Sequence, residues 1–192
     1  MQNTNGLLVI ISAPSGGGKD AVTNALVREF PGSYKFITTT TRPPRPGNKE
    51  GVDYHFISRE DFEKQIKQDQ FLEYNFYNGC YYGTPKNGLG EALMNHELIF
   101  LIVETNGKKN IDKAGIANFS IFFLPENEDT LRARMEKRGG LSPAQIEERL
   151  ENARREIKES EIYDLRIINK QGKIEETIAQ AAAAIRARLD QA

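Results

Sequence analysis

The 192-residue chain is long enough to bury one sizeable core, so a single folding domain with insertions is expected. Its 26 lysines and arginines balance 27 acidic residues, and a net charge of -1 gives no polybasic signature for nucleic acid or a membrane surface; neither is expected as a partner. Cys80 is the single cysteine, Met1-Gln2-Asn3-Thr4-Asn5 lacks the basic residues of a signal peptide, and no apolar run approaches a membrane span, so an intramolecular disulfide is excluded and a cytoplasmic protein is expected.

The apolar run Leu7-Leu8-Val9-Ile10-Ile11 predicts a strand. It leads into Ala13-Pro14-Ser15-Gly16-Gly17-Gly18-Lys19-Asp20 and then into the helical spacing of Val22, Leu26 and Phe30, which Pro31-Gly32 ends. Strand, glycine loop and helix in that order let backbone N–H groups turn onto an anion at the positive helix end, with Lys19 as a point charge for terminal phosphates. The strict phosphate-loop pattern G-x-x-x-x-G-K-[ST] fails twice, because Ala13 stands at the first glycine and Asp20 at the hydroxyl that ligates magnesium.

Phe36 to Thr40 has β-favouring composition and counts as a strand; Pro43, Pro44 and Pro46 then forbid regular structure. Arg42 and Arg45 therefore project from a stiff loop, where planar guanidinium forks suit phosphate, although from this segment alone a solvated, proline-rich turn is the favoured reading. Gly51 to Ser58 reads as a turn and short strand, with no visible partner for His55. Ser58-Arg59-Glu60-Asp61 opens a helix carrying Phe62 and Ile66, and Phe71-Leu72-Glu73-Tyr74 with Asn78-Gly79-Cys80-Tyr81-Tyr82-Gly83-Thr84 supplies aromatics for a pocket wall or a small satellite core.

Leu98 to Val103 is a continuous apolar run, as in a parallel strand covered on both faces, and it ends at Glu104, where a magnesium-organising acid would sit. Phe119 to Leu124 and Leu165 to Ile168 repeat the short strand pattern, giving about five strands alternating with helices: a doubly wound α/β parallel sheet. Glu128 to Gly140 reads as a helix stopped by glycines, and Ser142-Pro143-Ala144-Gln145 as a capping box with proline at the first helical position. Arg134 and Arg138 share one helical face and Arg149 follows across the glycine hinge; such cations suit a polyphosphate, or belong to a salt-bridged surface. The last helix, with Ile174, Ile178, Ile185 and Leu189, reads as structural.

Taken together, from about Leu7 to Leu189, these stretches resemble the guanylate kinase family. The family's S-A-P-S-G-x-G-K-S is similar to Ser12 through Asp20, which makes Ala13 a family habit, and its S-x-T-T-R-x-P-R-x-G-E-x-x-G-x-D-Y-x-F is similar to Thr38 through Phe56. The resemblance implies a P-loop kinase with an inserted mixed α/β nucleoside-monophosphate-binding region and a helical lid: core 1–37, 94–128 and 156–192, insertion 38–93, lid 129–155. It implies ATP bound by Ala13, Pro14, Ser15, Gly16, Gly17, Gly18, Lys19 and Asp20, with Asn169 approaching adenine. It implies GMP held through its phosphate by Thr38, Arg42, Arg45, Tyr54 and Tyr82 and through guanine by Glu73 and Thr84, with Glu104 beside it. Lys19, Arg42, Arg134, Arg138 and Arg149 would be catalytic, and Asp20 with Glu104 would hold Mg²⁺.

Four positions depart from the family pattern: Asp20 for serine, Thr38 for serine, Asn48 for glutamate, and Leu101-Ile102-Val103-Glu104-Thr105-Asn106-Gly107 for L-D-I-D-x-Q-G. One carboxylate is lost at Ile102 and one gained at Asp20, which suggests that the metal's acid has moved. The implied reaction is γ-phosphoryl transfer from ATP to GMP. The alternatives are a catalytically impaired module binding a phosphorylated partner, favoured by Asp20 and Ile102, and a monophosphate kinase of altered base choice. The sequence expresses no preference between monomer and homodimer, or between GMP and dGMP.

Overall fold

The computed structural model describes residues 6–77 and 79–191; Met1 to Asn5, Asn78, Ala192 and the side chain of Arg138 lie outside the described residues. Strands and helices alternate along the chain: β1 (Leu7–Ser12), α1 (Lys19–Glu29), β2 (Tyr34–Phe36), β3 (Thr39–Thr40), β4 (His55–Phe56), α2 (Arg59–Lys67), β5 (Phe71–Tyr77), β6 (Cys80–Pro85), α3 (Leu89–Asn95), β7 (Leu98–Ile102), α4 (Thr105–Lys113), β8 (Phe119–Pro125), α5 (Glu128–Arg138), α6 (Pro143–Glu159), β9 (Leu165–Asn169) and α7 (Ile174–Leu189). They form one five-stranded and one four-stranded sheet, the former parallel, which is the α/β class expected. No helix among the described residues is long and apolar enough to cross a membrane. The chain divides into two compact units, one containing Gly32–Asn118 and the described residues up to Leu8, the other Val9–Pro31 and the described residues from Phe119 onward.

In the second unit, β1 pairs in parallel with β8, from Val9 opposite Phe119 to Ser12 opposite Phe122, and β8 pairs in parallel with β9. Val9, Ile10, Ile11, Ile121 and Phe123 are fully buried, as expected of apolar runs with both faces covered. Helix α1 packs against α7, where Arg186 pairs with Glu29 across 2.5 Å. Asn127 caps α5 by accepting from the Thr130 amide, and Ser142 and Gln145 form the predicted reciprocal capping box at α6, with Pro143 in its first turn. Leu131, Met135, Ile146, Leu150 and Ala153, with Leu141 against them, give the α5–α6 pair an apolar core of its own. On its outside, Arg132 pairs with Glu147 and Arg154 with Glu128.

In the first unit, β2 pairs in parallel with β7, and the second sheet has the order β4-β3-β6-β5. The single strand expected over Phe36 to Thr40 is two strands in two sheets. Phe36 ends β2 opposite Leu101, whereas Thr39 and Thr40 pair with Gly83 and Tyr82 of β6. The threonine hydroxyls explain the capture: that of Thr40 donates to the Tyr81 carbonyl at 2.8 Å, and that of Thr41 accepts from the Tyr81 amide at 2.9 Å. Composition identified extended chain there without identifying its partner. Ser58 caps α2 by accepting from the Asp61 amide. Phe62, fully buried, stacks on Phe71 and Tyr81 at centroid distances of 4.3 and 5.1 Å, so these three rings form the satellite core. His55 does have a partner: its Nδ1 lies 3.1 Å from Glu50 Oε1.

Candidate functional site

Two constellations of side chains carry the chemistry, one in each unit. In the second unit, β1 delivers the chain into the glycine loop, and α1 begins at Lys19 with Gly18 as its N-cap. Gly16 and Gly18 adopt φ of +83° and +88°, a backbone region that disfavours side chains, and a Cβ at Gly17 would come within 2.7 Å of that of Ala13. Ala13 is therefore part of the packing that shapes the loop, and it is buried. The Gly17 amide donates to the Pro14 carbonyl at 2.8 Å, closing the turn. Lys19 is half-buried, and Asp20 is exposed in the first turn of α1.

Two of the three predicted lid arginines reach this loop. Arg134, on α5, donates to the carbonyls of Gly16 at 3.4 Å and Asn169 at 3.2 Å and to the Gln171 carboxamide at 3.0 Å. Partial burial holds the Arg134 guanidinium below its ordinary pKa. Arg149, on α6, donates to the Ser15 hydroxyl at 3.3 Å. Arg138 ends α5, and its side chain lies outside the described residues. Asn169, at the end of β9, is 4% exposed; its Nδ2 donates to the Gly17 carbonyl at 2.9 Å and its Oδ1 accepts from Thr177 at 3.2 Å. Asn127, Asp129, Thr130, Ala133, Arg134, Lys137 and Gln171 line an adjoining open groove. Sequence reasoning missed Gln171, whose loop carries no motif.

In the first unit, β5 and β6 form the hairpin that carries Glu73 and Thr84 as direct cross-strand partners. The pairing runs Phe71 opposite Pro85 and then Glu73 opposite Thr84, so Leu72 is an extra residue that re-aims the strand just before the acid. Glu73 is 7% exposed and accepts the Thr84 hydroxyl at 2.5 Å on Oε1. Burial raises its pKa to about 7, against the lowering effect of the Thr84 bonds, and the charge of Glu104 adds to the rise. Oε2 faces the first turn of α4. A Cβ at Gly107 would stand 2.8 Å from it and 2.9 Å from the Val103 Cβ, so this helix approaches the acid as closely as backbone allows.

Around the proline-rich loop, Asn48 Oδ1 accepts from Arg42 Nη2 and from the Arg45 amide, both at 3.0 Å. A neutral carboxamide thus orients the arginine loop where the family pattern has a glutamate. The Arg42 guanidinium lies over the rings of Tyr54 and Phe56 at 5.4 and 5.7 Å, and Tyr54 meets Tyr82 edge-on at 6.1 Å. Thr38 is buried, and its carbonyl accepts from the His55 amide. Within this unit the predicted acceptor residues Thr38, Arg42, Arg45, Tyr54, Glu73, Tyr82 and Thr84 are therefore on the sheet β4-β3-β6-β5 or its connecting loops. Glu104 is the half-buried N-cap of α4.

Among the described residues, no three His, Cys, Asp or Glu side chains cluster so as to hold a metal ion by themselves. Asp20, in the second unit, and Glu104, in the first, each carry the hard carboxylate oxygens that Mg²⁺ takes.

With the geometry in hand, comparisons with known proteins agree in kind. A family model for guanylate kinase matches residues 5–188. A guanylate kinase of Desulfitobacterium hafniense (strain Y51) is 37% identical over 169 residues, 88% of this chain and 84% of the relative. The crystal structure of guanylate kinase from Anaplasma phagocytophilum aligns with a TM-score of 0.78 at 28% identity, covering 97% of this chain and 88% of that one. An uncharacterized protein from Eubacterium ventriosum ATCC 27560, at a TM-score of 0.53 and 14% identity over 94% of this chain and 98% of that one, shares the fold.

Proposed function

The chain belongs to the guanylate kinase family and is an ATP:GMP phosphotransferase; from that premise we propose how its residues divide the work. Glu73 and Thr84 read the guanine edge. Guanine presents the N1–H and N2 amino donors side by side, and one carboxylate accepts both, whereas adenine presents an acceptor at N1 and leaves a buried acid unpaired. Leaving such a group unpaired discriminates by up to about 10⁴-fold. The buried Glu73–Thr84 pair is the observation that carries this assignment.

Arg42, Arg45, Tyr54, Tyr82 and Thr38 hold the GMP phosphate, with Asn48 fixing the arginines. The loop Ala13 to Asp20 cradles the phosphates of ATP with its backbone N–H groups, and Lys19 meets the terminal phosphates. The groove beside Arg134 and Gln171 suits the adenine. Arg134, Arg138 and Arg149 neutralise charge as the γ-phosphoryl group transfers in line to a GMP phosphate oxygen. That oxygen is already anionic, so no strong general base is needed and rate comes from positioning and charge stabilisation.

Asp20 and Glu104 would each offer a carboxylate to Mg²⁺, which when bound would screen the phosphate charge. Without a cation, a carboxylate about 4 Å from a phosphate charge would cost roughly 4 kcal/mol at an effective dielectric near 20. Asp20 would take over from the acid missing at Ile102, and Asp20→Ser should raise the Mg²⁺ concentration needed for half-maximal turnover; an unchanged requirement refutes the relocation. The reducing setting consistent with the single Cys80 supports a cytoplasmic reaction.

A coupled assay with ATP, Mg²⁺ and each of GMP, dGMP, AMP, CMP and UMP tests the whole reading. Turnover should be confined to the guanine acceptors. No ADP with any acceptor would leave the binding module as the correct reading, and equal rates with AMP would refute the assignment of Glu73 and Thr84.

A further inference from the structure

Asn169 stands where the family resemblance puts a contact to adenine, yet its carboxamide points elsewhere. At 4% exposure the side chain presents almost no surface to a ligand. Its Nδ2 donates to the Gly17 carbonyl at 2.9 Å, and the orientation of the amide is fixed by chemistry, since a carbonyl only accepts. Its Oδ1 accepts the Thr177 hydroxyl from α7 at 3.2 Å, and Thr177 is itself buried. A Cβ on Gly18 would stand 2.8 Å from Nδ2, so the carboxamide fills the space beside the left-handed residue that caps α1. The Asn169 backbone carbonyl accepts from Arg134 at 3.2 Å, which joins the same residue to the lid arginine.

We propose that Asn169 is a positioning residue that clamps the phosphate loop through the Gly17 carbonyl, and that it supports binding of the donor's phosphate chain irrespective of the base attached. The inference rests on the reading of this loop as the ATP phosphate site. Its physical content is orientation. A peptide whose carbonyl is held by Asn169 keeps its plane fixed, and with it the direction of the adjoining Gly18 N–H, one of the amides available to an anion. Thr177 holds the carboxamide so that the donor end faces the loop.

The test compares wild type, Asn169→Ala, Asn169→Asp and Thr177→Val, with ATP, GTP and CTP as donors or, where turnover is slow, as competitive inhibitors of ATP. Inorganic tripolyphosphate serves as a ligand with no base. Asn169→Asp keeps the size and the bond to Thr177 but sets an oxygen against the Gly17 carbonyl. Thr177→Val touches no nucleotide, and it keeps the proposal open to refutation if the Asn169 variants fold poorly. Expected for Asn169→Ala and Asn169→Asp is a rise of roughly tenfold or more in KM or Ki, by the same factor for all three triphosphates and for tripolyphosphate, with KM for GMP unchanged. Thr177→Val should show a smaller rise with the same indifference to base. A loss confined to ATP would overturn the clamp in favour of an adenine contact, as would unchanged constants in all three variants. If the wild-type protein neither uses ATP nor binds tripolyphosphate, the reading of the loop itself fails, which the unmutated protein alone reveals.

Discussion

Lowering the pH should erode the choice of guanine over adenine, because the acid assigned to the base titrates near pH 7. Ionised, Glu73 offers two acceptors to the two guanine donors. Protonated, it offers O–H beside C=O, the complement of an adenine edge with its N1 acceptor and N6 donor. With a free-enzyme pKa of about 7, the ionised fraction falls from about 0.9 at pH 8 to about 0.03 at pH 5.5, so kcat/KM for GMP should drop about 30-fold from this group alone. The acceptor phosphate also titrates, with a second pKa of about 6, but it does so in AMP as in GMP. The ratio of the two kcat/KM values therefore isolates Glu73. That ratio, measured by the coupled assay from pH 8 to 5.5, should fall at least 30-fold by the same arithmetic. Glu73→Gln presents the protonated pattern permanently and should give a low ratio at every pH. A flat ratio in wild type refutes the reasoning, as does a Glu73→Gln enzyme that retains the wild-type profile.

Three further outcomes follow from the same geometry. Glu73 has a raised pKa, so the folded protein keeps a proton there that the unfolded chain releases; stability contributed by the neutral form is present below pH 4.5 and lost as the pH rises towards 7. Glu73→Gln should accordingly stabilise the ligand-free protein at pH 8, on the order of 3 kcal/mol, and little at pH 4, as thermal melts at the two pH values would reveal; no gain at pH 8 would contradict the burial argument. Gly107→Ala puts a Cβ 2.8 Å from Glu73 Oε2; KM for GMP should rise about tenfold and stability fall by about 1–3 kcal/mol, while KM for ATP stays constant. Asn48→Ala removes the acceptor shared by Arg42 and the Arg45 amide; a loss of about 1 kcal/mol, or roughly fivefold in KM for GMP, is expected, again with ATP unaffected.

What the sequence made legible was local. The glycine loop, the capping box of Ser142 and Gln145 and the Ser58 cap each reside within a few neighbouring residues, and each is present in the structure. The apolar runs around Ile10, Phe100 and Ile121 were legible as parallel strands because burial on both faces removes the alternation an exposed strand would show. Hidden were choices made by partners distant in the chain. The threonine run was legible as extended, but its allegiance to β6 depends on Tyr81, some forty residues away. The family pattern supplied Asn169 as a functional position, and only the contact with Gly17, 152 residues away, reveals what its carboxamide holds. Gln171 and the part played by Gly107 escaped for the same reason, since neither has a local signature and both matter through what lies opposite.

The rung formed by Glu73 and Thr84 has a consequence for how this enzyme can diverge. On the roles proposed above, base recognition rests on one cross-strand pair of a hairpin, and the acceptor phosphate on arginines that Asn48 organises on a separate loop. Substitutions at the rung therefore change the letter that is read without disturbing the grip on the phosphate. A descendant could acquire a new nucleobase in one or two mutational steps, each intermediate still holding its substrate by the end where chemistry occurs.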